Sequence, residues 1–84
     1  MKVYVLVSNF TNVDSGGFET STVGVFSEKK DAQKAMVEQF ESIREEFKYW
    51  DTDEEQDEMS CSIWEKGEYP SHHYDLLIQE RKIQ

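Results

Sequence analysis

One cysteine, few basic residues and no long apolar run are the first things this chain of 84 residues lacks. Cys61 stands alone, so no intramolecular disulfide can form. A secreted domain of this size usually needs such staples, and the chain reads as cytoplasmic instead. The apolar run at the N-terminus, Val3 to Val7, is five residues long. A signal-peptide core needs roughly 7–15, and nothing approaches the ~20 residues of a membrane span. Lys and Arg number 9 against 18 Asp and Glu, a net charge of −9. Duplex nucleic acid and anionic membranes repel such a surface, because both are bound chiefly by basic side chains. No phosphate-binding loop, dinucleotide fingerprint or serine elbow is present, and Gly16-Gly17 alone is a turn.

What is there reads as one domain with a thin core, since a chain this short buries only about 60–65% of its unfolded surface. Residues 2–10 are rich in β-branched and aromatic side chains without polar alternation, which predicts a strand buried on both faces. Residues 11–17 carry turn chemistry, with Asp14 and Ser15 able to bond to their own backbone and glycines able to take positive φ. Residues 18–26 return as a second strand, giving a hairpin with a long loop.

Ser27 is placed to cap a helix, and Glu28 and Asp31 suit its positive end. Ala32, Met36, Phe40, Ile43, Phe47 and Trp50 recur at spacings of three and four, one stripe of a helix over 28–50. Six of the eight residues 51–58 are carboxylates, which predicts a solvated loop or a frayed helix end. Residues 59–65 alternate as a third strand, 66–71 turn around Pro70, and 72–80 form a fourth strand. The fold expected is α+β: a four-stranded antiparallel sheet, β-β-α-β-β, with one long helix on one face and the two hairpins meeting through the first and last strands.

The strings KVYVLV at 2–7 and VGVFS at 23–27, with Asp31 and Ala32 opening the helix, resemble those of small uncharacterised domains in bacterial and phage genomes. The later IWEKG at 63–67 is similar to their strand-turn segment. The resemblance lies in fold-making residues. It implies the β-β-α-β-β fold and a genomic neighbourhood, and no activity.

Candidate chemistry is sparse. Asp51, Asp53 and Glu55 match the first positions of a calcium loop, but Gln56 stands where glycine is needed and Ser62 where the bidentate carboxylate belongs. His72 and His73 are adjacent on a strand and point to opposite faces, so they do not share a metal. Cys61 sits with Met59 and Ile63 on an apolar face, where a thiol behaves as a small hydrophobe rather than a nucleophile. Trp50, Trp64 and the tyrosines could stack single-stranded bases, but the cationic groove that must accompany them is missing. No catalytic, metal or cofactor residue is assigned, and the chain is not read as an enzyme.

Two surfaces remain. The first is an apolar sheet face away from the helix, expected to pair two copies into a homodimer, with Tyr4, Leu6, Trp64, Tyr74, Leu76 and Ile78 as its residues. The second is an acidic patch of Glu38, Glu41, Glu45, Asp51, Asp53, Glu54, Glu55, Asp57 and Glu58. Residues 38–58 hold ten acidic and two basic residues, −8 of the total −9, so the charge is concentrated. A solvated charge run explains such a patch. A use for it is to occupy a basic groove on a partner protein as an acidic mimic of nucleic acid. The function expected is a non-catalytic, self-associating structural or interaction module, with the acidic inhibitor as the alternative.

Overall fold

The computed structural model describes residues 1–12, 16–66 and 72–83. The expected turn residues 13–15 and 67–71 lie outside the described residues. The elements follow as β1 (Lys2–Asn12), β2 (Gly17–Phe26), α1 (Lys29–Glu46), β3 (Thr52–Gln56), β4 (Ser60–Glu65) and β5 (His72–Lys82). The strands make one antiparallel sheet in the order β2-β1-β5-β4-β3. The two long strands β1 and β5 pair at its centre from Lys2 opposite Lys82 to Asn12 opposite His72. The hairpins therefore do meet through the first and last strands.

The sheet has five strands, not four. Residues 52–56, expected as loop or frayed helix, form β3 and pair with β4 from Thr52 opposite Glu65 to Gln56 opposite Cys61. An edge strand needs a ladder on one side only and tolerates solvated charge, which sheet edges commonly carry. Alternation also relieves the repulsion within the run. Glu54 points toward α1, where it is paired with the Arg44 guanidinium through two hydrogen bonds. Asp53 and Glu55 point the other way.

α1 covers one face of the sheet. Its Ala32, Met36, Phe40 and Ile43, followed by Phe47, pack on Leu6, Cys61, Ile63, Leu76 and Ile78, all of them buried. Leu6 faces Ile78, and Cys61 faces Leu76, in directly opposed pairs. Tyr4, Phe26, Met59 and Tyr74 close the rim. The helix is shorter than the stripe suggested. Its N-cap is Glu28, not Ser27, and no side chain caps it. At the other end the Phe47 amide donates to both Ile43 and Arg44 carbonyls (3.2 and 3.1 Å), and the Trp50 amide donates to the Phe47 carbonyl (2.9 Å). Such tight bonds satisfy the last free carbonyls and end the helix, leaving Trp50 on a turn beyond it.

Two glycines have specific work. Gly16 takes a φ of 67° where the chain enters β2, a conformation that costs a side chain little only when it is absent. Gly24 lies opposite Leu6, beside a register shift between Leu6 and Val7; a Cβ there would come within 2.9 Å of the Phe26 ring. The two sheet edges differ. β2 is exposed along most of its ten residues and carries one charge, Glu19, while β3 carries three carboxylates in five residues.

Candidate functional site: the uncovered face of the sheet

Among the described residues no second layer covers the face opposite α1, and Val3, Val5 and Val7 are half-buried rather than enclosed on both sides as the run of apolar residues suggested. The pairing register sorts this face into bands. One end is mixed: Val3 lies opposite Arg81 in the first row, Val25, Val5 and Gln79 form the second, and Thr22, Val7, Leu77 and Ser60 the third. Thr20, Asn9, Asp75, Ser62 and Glu55 form a polar row across the middle, and Phe18, Thr11, His73, Trp64 and Asp53 a mixed aromatic row beyond it. Phe18 is 67% exposed, Val25 60% and Leu77 37%, an unusual cost in wetted apolar surface for a chain this small.

Between the last two rows lies a shallow depression of roughly 460 Å³ lined by Glu55, Ser62, Trp64, His73 and Asp75. The Ser62 hydroxyl donates to Asp75 Oδ1 at 2.6 Å, and His73 Nε2 lies 3.1 Å from the same oxygen. Serine, aspartate and histidine thus meet, but the carboxylate sits in the middle. An activated serine needs the imidazole on its own hydroxyl with the carboxylate behind. Here the carboxylate fixes two neighbours in place. Among the described residues no group of three or more His, Cys, Asp or Glu could hold a metal ion.

The six residues expected to form a dimer face do not lie together on a free surface. Leu6, Leu76 and Ile78 are buried under α1, with Tyr4 and Tyr74 beside them; only Trp64 is on the uncovered face. Alternation within a strand shows that two faces exist, and the cross-strand register decides which of them meets the helix. Val25, Phe18 and Leu77 take the exposed positions instead. A signal for this was present: Cys61 and Ile63 share the small, fully apolar parity that best fits beneath a helix, and Trp64 and Leu77 hold the opposite one.

The acidic patch is likewise divided. Glu38 and Glu41 are exposed on α1, and Glu45 lies 2.6 Å from Lys48 Nζ. Asp51 lies 3.8 Å from Lys66 Nζ. Asp53 and Glu55 belong to the uncovered face, Glu54 to Arg44, and Asp57 to the turn between β3 and β4. Glu58 is held by Lys29 at 2.5 Å, and Gln33 donates to its carbonyl at 3.2 Å. Hydrogen bonds from Arg44 and Lys29 hold the carboxyls of Glu54 and Glu58 below the usual range. Cys61 is buried, and desolvation pushes its thiol upward. His72 and His73 fall on opposite faces, with His72 beside Trp50 and His73 beside Trp64.

Among the described residues no helix is long and apolar enough to cross a membrane. Compared with known proteins, the chain matches no family model, no curated protein and no solved structure.

Proposed function

We propose that the chain is a non-catalytic self-associating module in which the uncovered sheet face packs on the same face of a second copy. The observation that carries this is that α1 buries one face of the sheet while the other face leaves Phe18, Val25 and Leu77 exposed. The face is small: its strands, five to eleven residues long, average about 28 Å, and five of them span about 19 Å, on the order of 500 Å², which fits a weak association rather than a standard interface of ~800 Å² per partner. The surface of the chain is 5803 Å², against about 5,200 Å² for a monomer of its mass. Its radius of gyration is 13.7 Å, against about 12 Å for a compact chain of its length.

A net charge of −9 on each copy opposes the encounter, so added salt should strengthen self-association by screening. Sedimentation equilibrium from micromolar to near-millimolar concentration, at low and high salt, tests the proposal. Leu77→Glu and Val25→Glu, both at exposed positions, should leave a folded monomer. A wild-type chain that stays monomeric at the highest concentration and salt overturns the reading.

The second reading is an acidic edge that occupies a basic groove on another protein. It rests on Asp53, Glu55 and Asp57, exposed at or beside the outer strand. Its salt dependence has the opposite sign, because attraction to a basic partner weakens as ions screen it.

A further inference from the structure

On the helix side, at the end of the sheet where α1 stops, five rings form a cluster, with Phe47 and His72 meeting edge-on across it at 6.4 Å. Phe10 stacks on Tyr74 with centroids 4.4 Å apart. Tyr74 meets Phe47 edge-on at 5.8 Å, Phe47 meets Trp50 at 5.1 Å, Trp50 meets His72 at 4.4 Å, and His72 returns to Phe10 at 6.1 Å. With Glu46 they line a cavity of roughly 170 Å³, the space of about six waters. From this geometry we propose that the cavity is a binding site for an alkylated ammonium cation.

Four features give the site its sign. Aromatic faces carry the negative part of the ring quadrupole and attract cations. Glu46 supplies a carboxylate, and Glu19 stands opposite Phe10 on β2, on the same side of the sheet. Glu46 is the last residue of α1 and Phe47 its C-cap, so the cavity lies at the negative end of the helix dipole. None of the six lining residues is Lys or Arg, and the one basic group among them, His72, has its Nδ1 3.4 Å from Glu65 Oε2. The Tyr74 phenol is raised above its ordinary value first by burial and then by Glu46 and Glu19.

The same features choose the kind of cation. A bare metal ion needs several oxygen ligands in place of its water, and rings cannot supply them. An alkylated ammonium spreads its charge over methyl groups and is easily desolvated, which is the chemistry of aromatic cages. Two walls are placed in advance: Phe47 is buried, and the Trp50 backbone N–H donates a hydrogen bond to the Phe47 carbonyl at 2.9 Å, which holds its main chain beside the cavity. Trp50 is nevertheless 42% exposed, which leaves the cavity open to solvent.

The test follows the Trp50 indole N–H by NMR, with Trp64, on the other face, as internal control. Choline is titrated into the intact chain against sodium chloride of equal ionic strength, and its uncharged carbon isostere dimethylbutanol is titrated in parallel. Choline should shift Trp50 saturably and leave Trp64 in place, and dimethylbutanol should bind about five-fold more weakly or worse. Glu46→Gln should weaken choline several-fold. Trp50→Ala should abolish binding while the chain keeps its cooperative melt, and Trp50→Phe should restore part of it. A peptide carrying trimethyllysine distinguishes the sources: tighter binding than choline assigns the site to a modified side chain, and weaker binding assigns it to a free small cation. Equal binding of choline and dimethylbutanol, or no saturable shift of Trp50, overturns the proposal. Self-association uses the opposite face, so either result stands apart from the oligomeric state.

Discussion

Leu6 and Leu77 are the same residue type on adjacent central strands, one step apart in the ladder, and on opposite faces. Leu6 is 0% exposed and faces Ile78; Leu77 is 37% exposed and faces Val7. Truncating each to alanine therefore separates core from surface with one chemistry. Leu6→Ala removes a fully enclosed side chain beneath α1, and enclosed leucines cost about 2.7–5.0 kcal/mol when truncated. Total stability for a domain of this length is of the order of 4–13 kcal/mol. At about 4–8 °C of midpoint per kcal/mol, the melt should fall by at least ~10 °C. Leu77→Ala loses less buried area and leaves no cavity, so it should cost about 1 kcal/mol or less. Urea and thermal unfolding followed by circular dichroism at several protein concentrations measures both, since a dimer would make the midpoint concentration-dependent. Leu77→Ala should reduce that concentration dependence, and Leu6→Ala should not remove it at matched folded fraction. Equal losses from the two variants, or a Leu6→Ala midpoint within a few degrees of wild type, would refute the assignment of faces.

Two further predictions concern the edge and the thiol. The pairing of Arg44 with Glu54 ties β3 to α1, but both side chains are about two-fifths exposed, so a double-mutant cycle should give only about 0.5–1 kcal/mol. Glu54 has a lowered folded pKa, so its stabilisation is present above the unfolded carboxyl value and is lost as pH falls through the folded one. Unfolding free energies measured down that range should show a smaller loss in Glu54→Gln than in wild type, the remainder coming from Glu58, which Lys29 lowers in the same way. Cys61 is 3% exposed and its thiol is raised by desolvation, so a disulfide reagent should modify it only as fast as the fold opens. Labelling of the native chain at the unfolded rate would show that β4 does not sit under α1.

Much of this architecture could be read from periodicity. The stripe Ala32, Met36, Phe40, Ile43 and Phe47 names the buried side of the helix because side chains three and four apart must share a face. The junction of the hairpins through β1 and β5 had no comparable signal, since β2 holds more β-branched and large apolar residues than β5 does. β3 was hidden because its pattern is one of charge. TDEEQ has no apolar residue to announce a strand, and its ladder bonds are backbone bonds that any side chain permits. The faces were hidden for another reason. β1 is apolar at both parities, so Val5 and Leu6 look equally suited to a core until Gly24 and Ile78 are known to lie in register with Leu6. The aromatic cluster was the least legible. Phe10, Phe47, Trp50, His72 and Tyr74 come from four separate segments, and sequence alone assigned Phe47 and Trp50 to a helix that stops before Trp50.

The unlike edges of the sheet also govern how far any growth by strand pairing can go. Extending a sheet indefinitely requires that the last strand of one copy accept the first strand of the next, here β2 against β3. That junction would set β2, with its own Glu19, against Asp53, Glu54 and Glu55 on a body of net charge −9. The join is disfavoured and the open-ended fibre with it. Pairing of β2 with another β2 meets no such row of carboxylates, but it is a two-fold contact, and each copy has one β2 to give. Through the edges alone such an addition terminates at two chains. A strand that looks costly in charge thus acts as a stop on edge-to-edge growth, leaving a β-rich chain with one open edge rather than two.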